Sequence, residues 1–452
     1  MKISRLGFLC YIFSCLSHAA LALDFTTFYR SSMMQDIPIK GDETNWQTSL
    51  YVVGLGGSTW DSFNSDGHKR PLYDAHGYFD LTRLGTNVED KTATMLKYWS
   101  VNDDGTAYFD TPNLPDPSSN DGKYSFSGKF QTLECNVRLR QNIVYGFYLH
   151  AFLPLKELKL TNIAGENKGS IVVNGIPMET FYTGDLKTIL NDVGLRPLTD
   201  SYKSSGIGDV TIGAGWQGFI DKLPKGIFTS FSGFFELGGA MPTATERDPN
   251  RVFAIARGFN HEWMAYFRAN IQAGFWDVFN VGLEFGSTMI IRDTKHIRLQ
   301  TDKDQNGWIK LQYGKALVDP GSLWDVGCYI QAGEKLMHGF SIIVGYTYTM
   351  QETTHLEIRD NDVLSTYAAN QLAIKPYGNF VSKDDIINSD KNLLRWDAHL
   401  LHFVAQCDVG ALTSSWIKPL IRLEYDIPVV GKYSWATDIF SGTAGVRMDW
   451  KF

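Results

Sequence analysis

No stretch beyond residue 22 holds the roughly 18 consecutive apolar residues that a membrane-spanning helix requires, yet about a dozen segments alternate apolar and polar residues over spans as long as a tilted transmembrane strand. Alternation with period two places one residue set on each face of a pleated strand. Segment 440–452 sets Ala444, Val446, Met448, Trp450 and Phe452 against Thr443, Gly445, Arg447, Asp449 and Lys451. Segment 415–430 sets Ile417, Ile421, Leu423, Tyr425 and Ile427 against Lys418, Arg422, Glu424 and Asp426, and segment 259–274 sets Trp263, Ala265, Phe267, Ala269 and Ile271 against Glu262, Arg268, Asn270 and Gln272. In a soluble sheet the charged face would be solvated; in a membrane barrel it is a polar lumen.

Runs of this character fall at 47–60, 123–140, 144–160, 207–220, 226–241, 259–274, 276–292, 322–335, 338–356, 393–409, 415–430 and 440–452. The connections sort by length. Those at Gln141-Asn142, 221–225, 275–277, 336–339 and 410–414 are short, whereas 61–122, 161–206, 242–258, 293–321, 357–392 and 431–439 are longer and polar. An even strand count with short turns at one end and long loops at the other is the pattern of outer-membrane barrels, and a soluble sandwich has no reason to produce it. The expectation is an all-β chain whose residues 23–452 form a single antiparallel transmembrane β-barrel of about 12 strands, with both termini periplasmic and the long loops 61–122, 161–206, 293–321 and 357–392 extracellular. A mean hydropathy of -0.18 is what alternating strands average to. Aromatic girdles are expected from Trp276, Trp416 and Trp450 at one rim and Trp263, Trp324, Trp396 and Trp435 at the other. Loop 61–122, with Trp99, Tyr108, Phe109 and a Pro-rich 113–117 segment, either folds into the barrel mouth or offers an outer surface.

The N-terminus reads as an export signal: Lys2 and Arg5 precede the apolar run Leu6–Leu16, and Ala20-Leu21-Ala22 forms a small-x-small cleavage site. Residues 1–22 are therefore expected to be removed. Cleavage removes two positive charges and no acids, taking the formal charge from -7 to -9, a poor balance for nucleic-acid binding. It also leaves three cysteines, Cys135, Cys328 and Cys407, an odd and widely spaced set that suits small hydrophobes better than disulfides or zinc.

The C-terminal residues Gly445-Val446-Arg447-Met448-Asp449-Trp450-Lys451-Phe452 resemble the terminal strand of bacterial outer-membrane proteins. That resemblance implies residence in bacterial outer-membrane lipid and recognition of Phe452 by the barrel assembly machinery. Residues 205–213, with Gly206-Ile207-Gly208-Asp209, are similar to strand openings in the fatty-acid and aromatic-hydrocarbon outer-membrane channel group, although the Asn-Pro-Ala plug motif of the fatty-acid transporters does not follow the cleavage site. Without a third glycine and a βαβ context the motif is no dinucleotide fingerprint.

The alternation nominates Glu134, Arg138, Arg140, Glu262, Arg268, Glu284, Arg422, Glu424, Asp426, Arg447, Asp449 and Lys451 as pore-lining residues. Because 415–430 and 440–452 are neighbours, the Arg422/Glu424/Asp426 and Arg447/Asp449/Lys451 ladders are expected to face each other. They would either form a charged pore wall or brace and plug the lumen. Catalysis is not expected: no Gly-x-Ser-x-Gly elbow occurs. His399 and His402, three apart on a strand, point to opposite faces and make an unpromising metal pair. Asp302, Asp304, Asn306 and Gly307 open like a calcium loop, but Tyr313 stands where the bidentate Glu belongs, so calcium at 302–313 is only a weak candidate and no cofactor is expected. The functional expectation is passive uptake of small solutes, hydrophobic compounds among them. Its alternative is a non-conducting surface protein whose loops bind host or envelope partners.

Overall fold

The computed structural model describes residues 46–80, 123–168, 172–173, 176–177, 201–221, 226–276, 278–299, 310, 312–332, 339–359, 387–409 and 416–450. The expected signal peptide, the 300–309 stretch, Lys451 and Phe452 lie outside the described residues.

Twelve strands form a closed antiparallel ring: β1 (Trp46–Thr59), β2 (Lys123–Asn142), β3 (Phe147–Asn167), β4 (Val210–Asp221), β5 (Phe228–Met241), β6 (Met264–Phe275), β7 (Phe279–Ile290), β8 (Leu323–Ala332), β9 (Phe340–Gln351), β10 (Trp396–Asp408), β11 (Ile417–Lys432) and β12 (Asp438–Trp450). Each pairs with its sequence neighbours, and β1 closes on β12 from Trp46–Trp450 to Ser58–Asp438. Closure satisfies every edge strand, which an open sheet of this size could not do. The short β2–β3 connection is a tight turn in which Tyr145 and Gly146 take φ of 52° and 82°. Positive φ at both central positions is the geometry that matches strand twist. The segment Ser201–Ile207 prolongs the line of β4 along β3. Between them, Gly208–Val210 oppose two residues of β3, forming a bulge. There the Asp209 carboxylate accepts hydrogen bonds from the amides of Ala244 (2.9 Å) and Phe259 (2.5 Å), tying the wall to the 243–262 loop.

The faces separate as the alternation requires. Leu133, Leu139, Leu149, Ile212, Leu237, Ile271, Leu283, Ile330, Val344, Ile421 and Leu423 stand exposed on the outside. Ser49, Thr132, Asn136, Glu236, Asn270, Glu284, Asp325, Thr347, His402, Arg422 and Arg447 are buried inside. Cys135 and Cys328 face outward, unpaired. Inside, tyrosine rings lie across glycines of the neighbouring strand. A Cβ on Gly445 would stand 2.1 Å from the Tyr51 ring, and the same holds for Gly282 beneath Tyr329. Only glycine lets a ring lie flat on the wall at these points.

Several expectations need correction. The run expected at 338–356 ends at Gln351, and His355–Ile358 instead joins Asp293–Leu299 and Gln312–Asp319, both drawn from the expected loop 293–321, in a separate three-stranded sheet. Its own small core, Ile297, Leu299, Ala316, Val318 and Leu356 with Ile387 and Leu393, explains why it forms away from the ring. Trp263, Trp276 and Trp416 are exposed as girdle residues should be, but Trp396 and Trp435 are buried. Trp396 donates to Gln351 Oε1 (2.8 Å), and the Trp435 ring packs on Phe130 at 4.7 Å.

Candidate functional site

The inner wall is the candidate site, and its chemistry follows from register. Across five neighbouring strands the paired positions run His150, Arg140, Ser49, Arg447 and Lys418, from β3 through β2, β1 and β12 to β11. One inward step nearer the long-loop end lie Arg138 and Tyr51; a further step brings Asn136, Val53, Thr443 and Arg422. Four arginines and a histidine thus converge on a cavity of about 80 Å³, lined also by Gln47, Asn142, Gln217 and Gln406, and among the described residues no acid lines it.

The expected facing of the two charged ladders is displaced. Arg422 stands opposite Thr443 and Glu424 opposite Ser441, while Arg447 stands opposite Lys418. Register is fixed along the whole closed ring, so the ladders are offset: the two arginines find acids elsewhere, while Lys418 and Asp449 still pair between the strands. Arg447 meets Asp408 at 3.4 Å, Arg422 meets Glu424 at 3.3 Å, and Lys418 meets Asp449 at 2.5 Å. Arg140 donates to Gln217, and its guanidinium lies 3.6 Å over the Tyr148 ring.

Towards the long-loop end the inner wall turns acidic. His402 is fully buried, with Nδ1 2.7 Å from Asp426 Oδ1 and Nε2 2.9 Å from Thr347 Oγ1; Glu424 Oε1 lies 3.8 Å from Nδ1. His402, Glu424 and Asp426 are the grouping of metal-ligand size among the described residues. Both imidazole nitrogens already have hydrogen-bond partners, so a metal would have to displace one. His399 faces outward and bonds the Tyr346 hydroxyl at 2.5 Å, so the two histidines do take opposite faces. A second network joins Glu284 to Asn270 (3.2 Å) and Tyr329 to Gln272 (2.8 Å), and a third joins Glu236 to Tyr266 (2.8 Å) and His150 (3.4 Å).

The other nominated residues fall as follows. Glu134 and Arg268 sit on the inward positions of β2 and β6, with Glu134 3.4 Å from Lys156 and Arg268 over the Tyr266 ring at 5.2 Å. Glu262 precedes β6 and lies beyond the ring wall, 3.0 Å from Lys295 of the three-stranded sheet. Lys451 and the calcium candidates Asp302, Asp304 and Asn306 lie outside the described residues, while Tyr313 is a strand residue stacked on His296 at 5.7 Å. Sequence reasoning missed His150, and it weighed His402 only against His399, not with Glu424 and Asp426. His150 shares the inward face of its strand with Tyr148 and Phe152, and rings on both sides of it leave no charged alternation to point it out.

Segments from the long loops cover this end of the barrel. Leu72–His76 and Val252–Ala256 are buried throughout, and Tyr73, Phe253, Phe126 and Phe79 form a chain of ring contacts at 4.3, 5.6 and 5.9 Å. Burial raises the Asp74 carboxyl to about 6, although Ser125 and the Phe126 amide both donate to it. Burial, helped by Lys310 and Lys391, lowers His76 to about 3, so this ring is neutral as it stacks on Tyr433 at 4.6 Å. Burial raises Glu262 to about 8 despite the Lys295 ammonium beside it.

No protein-family model and no curated protein matches the chain. Among solved structures it is similar to an outer membrane channel from Pseudomonas putida F1, at 10% identity over 91% of this chain and 100% of that one, with a TM-score of 0.45. It is also similar to the translocator domain of the autotransporter NalP from Neisseria meningitidis (9% identity, 93% and 92% covered, TM-score 0.34). A third is the Ralstonia pickettii toluene transporter TbuX (10% identity, 96% of each chain, TM-score 0.30).

Proposed function

We propose that the chain is a bacterial outer-membrane channel that lets small solutes cross passively through its polar lumen. One observation carries this reading: the closed ring turns an apolar face outward and a charged, hydrogen-bonded face inward around a cavity. An apolar exterior of that extent suits lipid. About eight strands already leave room for side chains to fill the bore, so twelve leave more than packing needs. A core meant only for stability would gain nothing from burying this many charges, since a buried ion pair is seldom better than an apolar replacement. In this reading Glu134, Arg138, Arg140, Arg268, Glu284, Arg422, Glu424, Asp426, Arg447, Asp449 and Lys451 line the path, residues 1–22 direct export, and Phe452 is read by the assembly machinery. The capped long-loop end favours the second reading, a closed barrel whose loops bind partners. Liposome swelling separates the two. Vesicles carrying the refolded chain should swell in small sugars and progressively less in larger ones; no swelling with any sugar contradicts the channel.

A further inference from the structure

We propose that the arginine-lined cavity at the short-turn end is a binding subsite for a small oxyanion, a carboxylate or a phosphate, within the proposed conducting path. The inference rests on the channel reading for its role but on the cavity alone for its chemistry. Arg140 and Arg447 flank Ser49 on successive strands, and Arg138 and Arg422 stand one and two inward steps further along the same wall. Like charges at neighbouring wall positions repel, a cost that a merely structural lining would avoid. The acids that offset them stand beside the cavity on the same inner wall: Asp408 and Glu424 meet Arg447 and Arg422 at 3.4 and 3.3 Å, Asp449 pairs with Lys418 at 2.5 Å, and none of the three lines the cavity.

The guanidiniums are also held in place. Arg140 lies over Tyr148 at 3.6 Å and Arg138 over Phe152 at 5.1 Å, so their forks are oriented before any ligand arrives. Arg447 Nε has no hydrogen-bond partner among the described residues. A planar fork with a donor to spare, as at Arg447, matches an oxyanion in a way that a lysine would not. The Ser49 hydroxyl and the amides of Asn142 and Gln217, which share the cavity, supply neutral donors at its edge. A volume of about 80 Å³ suits an ion the size of phosphate or acetate.

The test uses the full chain refolded in detergent micelles, read by its heat-modifiable folded form, with sodium phosphate, acetate and chloride compared at matched ionic strength. Phosphate and acetate should raise the thermal midpoint above chloride, the stronger of the two identifying the preferred oxyanion. Arg140→Gln or Arg447→Gln should weaken the apparent affinity about tenfold. Arg140→Lys, which keeps the charge and loses the fork, should fall between, and Lys203→Gln, at a cation outside the cavity, should change nothing. Equal midpoints in all three salts, or losses no larger in the arginine variants than in Lys203→Gln, would overturn the subsite. Reversal potentials in planar bilayers then address the channel separately. A chain that binds phosphate but never conducts loses the channel and keeps the subsite, and a chain that conducts without oxyanion stabilisation loses the subsite and keeps the channel.

Discussion

Arg140 and Arg447 approach one cavity from two strands separated only by β1, each opposite Ser49 in its own pairing. Their buried neighbours decide what each charge costs. Asp408 is the carboxylate within ion-pair distance of Arg447, at 3.4 Å with both side chains nearly inaccessible. Asp408→Asn therefore leaves a buried cation among other cations and should cost about 3 kcal/mol. Neutralising Arg140, whose departure relieves repulsion while losing a ring contact and its hydrogen bonds to Gln217 and Asn142, which glutamine can partly replace, should cost less, about 1 kcal/mol. Urea unfolding followed by tryptophan fluorescence checks both; equal losses would contradict the pairing.

A pH dependence follows from Glu262, outside the ring. Its carboxyl is raised from 4.5 to about 8, so between those values the unfolded chain ionises while the fold holds the proton. Stability from this group is complete below pH 4.5 and is lost as pH rises towards 8. Asp74 acts in the same direction between 3.8 and about 6, and His76, held neutral, opposes them as pH falls below 6.5. The clean readout is therefore the difference between wild type and Glu262→Gln. The variant should match wild type near pH 4.5 and gain thermal stability over it up to pH 8. A constant difference across that window would rule out the raised carboxyl.

The two faces of β7 give a third prediction. Leu283 is 62% exposed on the outside and Glu284, next in sequence, is 3% exposed inside. Leu283→Arg places a charge in lipid midway along the strand and should cost about 2–4 kcal/mol and lower outer-membrane yield. Glu284→Gln keeps a polar group in the lumen beside Asn270 and should leave yield intact. Comparable yields from both variants would mean that the faces are not lipid and lumen.

The ring was legible because closure and alternation make the same demand on every strand: one apolar and one polar residue per repeat. Twelve ranges and the inward positions of β2, β6, β7, β11 and β12 could be read that way. Register could not, because nothing in Arg422 or Arg447 alone reports the offset that sets Arg422 against Thr443 and Arg447 against Lys418. The three-stranded sheet stayed hidden for a different reason. Lys295, Ile297 and Leu299 share its buried side, but the charges between them and the proximity of β7 made the stretch look like a polar loop. Trp396 and Trp435 show the limit of composition: a tryptophan near a strand end serves a girdle only where no loop covers it.

Sidedness can be read directly by single-cysteine labelling in intact cells, with Cys135, Cys328 and Cys407 replaced. Asp66→Cys, on the exposed tip of the hairpin in which Asp61–Phe63 pairs with Lys69–Pro71 after β1, should label, and Val144→Cys, in the β2–β3 turn, should stay silent until the outer membrane is opened. The reverse pattern would invert the barrel.

The most direct measurement of the account is single-channel current from the refolded, heat-modifiable protein in a planar bilayer. Discrete conductance steps that shift toward cation selectivity in the Arg422→Gln/Arg447→Gln double variant are predicted, because both guanidiniums border the proposed path. Folded protein that inserts and yields no current at any voltage would contradict the channel.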